Sequence, residues 1–176
     1  MGHATNVFET APIRRDRDVF LRELLRELAA LLEDGVGLDQ TAGYISQVGN
    51  RIGLQMNADY TRAAGGGRLD RDQVAAALVD LKRRIEGGFS VESIDDEKIV
   101  LVNTACPFGR YVEGRRSLCM MTSSVFGRVT AENLGYARVY LDKTIAKGAP
   151  GCRVEVWLTE GDDGIEYQAG EAGAAT

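Results

Sequence analysis

At 176 residues, 27% of them charged, the chain is long enough for one domain with a substantial core. A formal net charge of −5 argues against a nucleic-acid surface. No apolar run approaches the roughly 18 residues of a membrane span, and the N-terminus lacks a secretion pattern, so a cytoplasmic location is expected.

Residues 1–16 show no periodicity and are expected to form a flexible arm, with one folded domain over 17–160. Phe20, Leu21, Leu24, Leu25, Leu28, Leu31 and Leu32 recur at three- and four-residue steps, predicting a helix from Asp18 to Gly35. Its stripe is wide enough for a core and for a partner helix, so a homodimer through the N-terminal helices is expected. A second helix runs from Leu38 to about Tyr60. On it Ser46, Gly49 and Gly53 form a strip of small residues, read first as close approach of another backbone and second as a ligand lying against bared backbone. A third helix starts at Leu69, with Val74, Ala77, Leu78, Leu81 and Ile85 on one face and Lys82, Arg83 and Arg84 read as a solvated cluster.

The period then changes. Phe89–Glu92 and Lys98–Val102 flank Asp95-Asp96 as a hairpin. A helix follows from Ser117 to Asn133. Tyr136–Ile145 alternates as a strand and pairs through the Gly148–Gly151 turn with Arg153–Leu158. The tail 161–176, rich in Gly, Ala and acidic residues, is expected to be disordered. The fold class is therefore α+β: N-terminal helices plus a four-stranded antiparallel sheet made of two hairpins separated by a helix.

Three cysteines carry the chemistry: Cys106 after a strand, Cys119 at a helix start and Cys152 at a strand start. Those settings can converge on one point. Thiolates suit zinc and iron–sulfur clusters, both soft enough to prefer sulfur, and Pro107 fixes the turn beside Cys106. The spacing C-x12-C-x32-C is not that of a zinc knuckle, so three buried apolar cysteines remain the competing reading. An odd count argues against a disulfide framework. The sole histidine, His3, lies in the arm, and no P-loop or GxGxxG motif is present. Arg110, Arg115 and Arg116 could stabilise a thiolate nucleophile. With Tyr111 and Tyr136, Arg110 and Arg115 are candidates for lining a ligand site. Met120, Met121 and Phe126 read as core, and Trp157 as a sheet-face anchor or an interface residue.

The stretch CPFG…LCMMTSSVFGRVTAENLGYARVYLDKTIAKGAPGCRVEVWL resembles the methanogen output domain family of signal-transduction proteins. It is more distantly similar to 4-vinyl reductase sensor domains and to SufR-like iron–sulfur regulators. The resemblance covers residues 98 to 158 and implies that Cys106, Cys119 and Cys152 are ligands of a 4Fe–4S cluster, with zinc as the alternative. The vinyl reductase zinc sites use a Glu-x-x-Cys pair where this chain reads Asp142-Lys143-Thr144-Ile145. The implied function is a regulatory domain that senses redox state or a small ligand and signals to a protein partner. A vinyl reductase-like module for an apolar small molecule, with zinc or inert cysteines, is the second reading. The third, from a distant similarity to amino-thiazoline carboxylate hydrolases, is a cysteine-dependent hydrolase.

Overall fold

The computed structural model describes residues 9, 11–13 and 15–170. Most of the arm and the last residues of the tail, 171–176, lie outside the described residues. Asp16 caps the first helix, α1 (Arg17–Val36), its carboxylate accepting from the Val19 N–H at 2.8 Å. Gly37 (φ 88°) turns the chain directly into α2 (Leu38–Ala63). A capping box of Asp70 and Gln73 opens α3 (Arg71–Arg84).

β1 (Ser90–Ile94) and β2 (Lys98–Asn103) form the first hairpin. Two 3-10 turns, at Gly109–Val112 and Arg116–Leu118, lead into α4 (Cys119–Leu134). β3 (Tyr136–Lys143), a 3-10 turn at Ile145–Lys147 and β4 (Cys152–Trp157) form the second hairpin. The alternating pattern at 136–143 is thus strand, as its period of two implies. Pairing of β2 with β4 welds the hairpins into one antiparallel sheet.

The sheet has five strands, ordered β1-β2-β4-β3-β5, where the sequence pattern implies four. The fifth, β5 (Ile165–Gln168), falls in the tail expected to be disordered and extends the folded unit beyond residue 160. Composition misleads here because an edge strand needs only one large buried side chain to hold it. Tyr167 supplies that side chain, 3% exposed, with its hydroxyl 2.9 Å from Ser123 Oγ and 3.3 Å from Ser124 Oγ. Arg128 of α4 adds a bond to the Gln168 carbonyl at 2.7 Å.

α4 is buried almost all round, between the inner face of the sheet and α2. The small-residue strip of α2 is what lets the two helices meet. A Cβ on Gly49 would stand 2.7 Å from that of Ser124, one on Gly53 would stand 2.9 Å from that of Arg128, and Ser46 Oγ lies 2.7 Å from Ser124 Oγ. Close backbone approach, rather than a ligand, explains the glycines. Phe126, Ile99, Leu101, Val139, Val154 and Val156 fill the core between α4 and the sheet. On the opposite sheet face Trp157 lies between Lys98 and Arg138, its cross-strand neighbours, and so anchors that face.

The role of Tyr167 gives a direct test. Tyr167→Ala should lower the unfolding free energy by about 3–5 kcal/mol, the usual cost of emptying a buried aromatic site. Tyr167→Phe should cost only about 1 kcal/mol. Urea unfolding measures both, and a tail that contributes nothing to the fold would leave both values near zero.

Candidate functional site

The β2–β4 register sets Asn103 opposite Cys152. The buried Asn103 amide then ties three segments together. Its Nδ2 donates to the carbonyls of Gly87 (3.0 Å) and Ala105 (2.6 Å), and its Oδ1 accepts from the Cys152 N–H at 2.8 Å. Gly151 lies against the Asn103 carbonyl with no space for a Cβ. The turn after β2 is closed by the Gly109 N–H on the Cys106 carbonyl (2.8 Å), which directs the chain past Cys106 toward α4. Cys119 is the first residue of α4 and Cys152 the first of β4. Cys152 lies on the inner sheet face with Val154 and Val156, and its Sγ accepts from the Ile145 N–H at 3.5 Å.

All three cysteines line one chamber of about 30 Å³, together with Phe89, Pro107, Phe108, Val112, Leu118 and Ile145. The chamber sits on a seam between two clusters of apolar residues. Cys152 packs against the main core, while Cys106 and Cys119 pack against a smaller one built on Ala29, Val112, Leu118 and Ala146. From outside, a groove of about 310 Å³ bearing Arg116 and Lys147 reaches Cys119.

Lys82 decides the electrostatics, and the sequence reading misplaced it. It lies one turn beyond Leu78 on the stripe of α3 that faces the core, and is 3% exposed. Its Nζ donates to Thr122 Oγ1 at 2.7 Å and sits 5.6 Å and 5.2 Å from the ring centres of Phe89 and Phe126. Among the described residues no carboxylate pairs with it. Burial lowers its pKa to about 8, while the three cysteines, as thiolates, would act to raise it. Burial also pushes the Cys106 thiol up, with the Phe108 backbone N–H partly opposing, and the Cys119 thiol up to about 11, with the other two cysteines adding to the shift. Thr144, whose buried hydroxyl faces the Cys119 thiol and offsets part of its upward shift, completes the polar lining with Asn103 and Thr122.

The donor chemistry fits a soft metal: three thiols, with a buried cation to balance thiolate charge. Among the described residues, however, no three Cys, His, Asp or Glu side chains already stand at the spacing that grips one ion. The thiols would have to turn inward on loading.

The four residues expected to line a ligand site are elsewhere. Arg110 and Tyr111 lie in an outer groove with Arg15, Glu23, Arg26 and Glu113. Arg115 is taken up by Glu33 of α1, at 3.3 Å. Tyr136 begins β3, seven residues from the Lys143 end that lies beside β4's cysteine, or about 23 Å at strand rise. Its hydroxyl donates to Glu166 at 2.9 Å. Nearness to a cysteine in sequence thus places Pro107, Phe108 and Leu118 at the chamber but not the charged and aromatic residues farther along the loop. Lys82 and Asn103 were missed. A lysine at i+4 from Leu78 in a buried stripe was the available signal for the first, and a lone polar residue ending an apolar strand for the second.

A family profile, methanogen output domain 1, matches residues 24–157 of this chain. The chain belongs to the methanogen output domain 1 family. The match spans all three cysteines, Lys82 and most of α1. No curated protein matches this output domain. Among solved structures it is similar to a trafficking protein particle complex subunit 3 from Naegleria fowleri, covalently bound to palmitic acid. The TM-score is 0.60 at 15% identity, covering 81% of this chain and 95% of that one. At that identity the likeness is one of fold. No described helix is long and apolar enough to cross a membrane.

Lys82 should leave a signature in the metal-free output domain. Its folded pKa, about 8, lies below the unfolded value near 10.5, so between them the unfolded chain holds more protons and stability rises with pH. The raised Cys119 thiol opposes this above its own unfolded value near 9, where the folded state holds the extra proton. Urea midpoints should therefore rise between about pH 7 and pH 9, and Lys82→Met should flatten the rise.

Proposed function

We propose that this output domain is a regulatory module whose receiver is the three-thiol chamber, where Cys106, Cys119 and Cys152 hold a metal centre, in the first place an iron–sulfur cluster. The observation that carries the reading is the buried Lys82 ammonium, which has a hydroxyl and two aromatic rings about it but, among the described residues, no carboxylate. A buried charge without an opposite partner costs several kcal/mol, and three metal-bound thiolates, whose charge acts to favour the ammonium, would supply the missing negative charge. The lining offers no carboxylate or imidazole as a fourth ligand, which leaves one coordination position for a small molecule. When bound, such a centre supplies a redox couple and that open position.

Chamber size weighs against the apolar-ligand reading, since about 30 Å³ holds a water or two, whereas small-molecule sites span roughly 300 Å³ or more. The same figure supports zinc as the second reading, because a single ion needs less expansion than a cluster. A thiol nucleophile fits poorly, with Cys106 and Cys119 both held toward the protonated form.

The route outward runs through the segment 104–118, which carries Cys106 and leads into Cys119. At its start this segment is tied to the sheet through Asn103, and farther along it is fastened to α1. Arg26 donates to the carbonyls of Tyr111 (2.8 Å) and Glu113 (2.7 Å), and Glu33 accepts from the Ser117 N–H (3.2 Å) and hydroxyl (2.6 Å). A change in the chamber would therefore move α1 against the protein partner that reads the signal.

Protein purified without oxygen should contain iron and sulfide and absorb in the visible region, with both lost in Cys152→Ala and reduced in Lys82→Met. Zinc at one ion per chain, without colour, would select the second reading. Metal-free, colourless protein that stays folded and takes up neither iron nor zinc on reconstitution would overturn the proposal.

A further inference from the structure

α1 is attached to the molecule by the wrong side for an ordinary amphipathic helix. The face turned to the body of the protein carries Arg22, Arg26, Ala29, Ala30 and Glu33, of which only the two alanines are buried core residues. Its hold on the rest is largely polar, through the Arg26 and Glu33 bonds described above. The leucine stripe points the other way. Phe20, Leu21, Leu24, Leu25, Leu28 and Leu31 are all exposed, Leu28 by 49% and Leu31 by 71%. Tyr44 and Val48 of α2 are exposed too.

We infer that this face is a two-fold interface with a second copy of the same chain. Half-exposed leucine and aromatic side chains in this number offer on the order of 600–900 Å² of apolar surface, what one partner contributes to a standard interface. A monomer seldom leaves so large a patch uncovered. Self-pairing suits the distribution of charge. No charged residue lies within the stripe between Phe20 and Leu32, so nothing on it repels its own copy. Arg17 lies at the N-terminal end of the same side of the helix, and the last turn of α1 carries no basic residue. An antiparallel crossing sets each Arg17 beside the negative end of the other copy's helix dipole. Glu23, Glu27 and Asp34 border the stripe, which disfavours an anionic membrane surface as the occupant. The inference is independent of what the thiol chamber holds.

Sedimentation equilibrium on the full chain tests it. The native protein should be a dimer at micromolar concentration. Leu28→Glu and Leu28→Lys, near the middle of the helix where a two-fold axis would pass, should each weaken association about a hundredfold. Their far-UV circular dichroism should be native, because the side chain is half in solvent. Mixing the two variants should restore a dimer, which only direct contact between the substituted positions would do. Leu31→Glu, at the most exposed position, provides a second variant and should also give a folded monomer. A native chain that stays monomeric to hundreds of micromolar, or a dimer indifferent to both Leu28 and Leu31 substitutions, would overturn the inference.

Discussion

A single buried ammonium sets the terms for the active end of this molecule. Lys82 is placed by the same periodicity that places Leu78 and Leu81, so the helix cannot turn it outward without exposing its apolar neighbours. Set against the edge-to-face pair of Phe89 and Phe126, with one hydroxyl to bond and no carboxylate among the described residues, it is poorly compensated. That environment leaves the metal-free lysine with a depressed pKa and the Cys106 and Cys119 thiols with raised ones: both kinds of group resist their charged form when alone. Together they relieve each other, since thiolates favour the ammonium and the ammonium favours thiolates. A chamber of this kind is electrically closed only when something deprotonates the sulfurs, and a soft metal does that directly.

Against that local constraint, the rest of the fold acts as a frame. α4 is sandwiched between the sheet and α2, with glycines admitting the closest approach and Tyr167 filling the remaining space above Gly127. Asn103 then transfers the precision of the β2–β4 register to the Cys106 turn and to Cys152. The frame is rigid where two of the three thiols emerge from regular elements, and less constrained at Cys106, which stands in a turn.

Much of this was legible in the sequence, and the reasons are physical. Helix and strand periods gave the elements of the two hairpins and the helices around them, because each keeps a regular apolar period, whether that face meets the core, as in α3, or solvent, as in α1. The sequence allowed Cys106, Cys119 and Cys152 to converge, since strand end, helix start and strand start can share an edge of such a layer, and the structure brings all three to one chamber. The fifth strand did not follow: Tyr167 is one buried ring in a segment whose composition otherwise resembles a solvated tail. Nor did the roles of Arg115 and Tyr136, whose partners Glu33 and Glu166 lie 82 and 30 residues away. Lys82 was misread because two exposed arginines follow it, and a basic triplet looks like a solvated face even when the helix buries its first member.

The two apolar clusters explain why a change in the chamber need not dissipate in the core. The main cluster is broad and includes the sheet, α3 and α4; the smaller one joins α1 (Ala29) to the segment 104–118 (Val112, Leu118) and to the turn between β3 and β4 (Ala146). Cys152 belongs to the first and Cys106 and Cys119 to the second, so drawing the three sulfurs together pulls the small cluster toward the large one. The broad cluster, close-packed on both sides of α4, is the stiffer body. On the proposed reading, the displacement would fall on the small cluster and on α1, which is tied to it by Arg26 and Glu33 and presents its leucines outward. Polar bonds suit that tether: they hold the helix in register with the thiol-bearing segment while leaving its apolar face free to meet a partner.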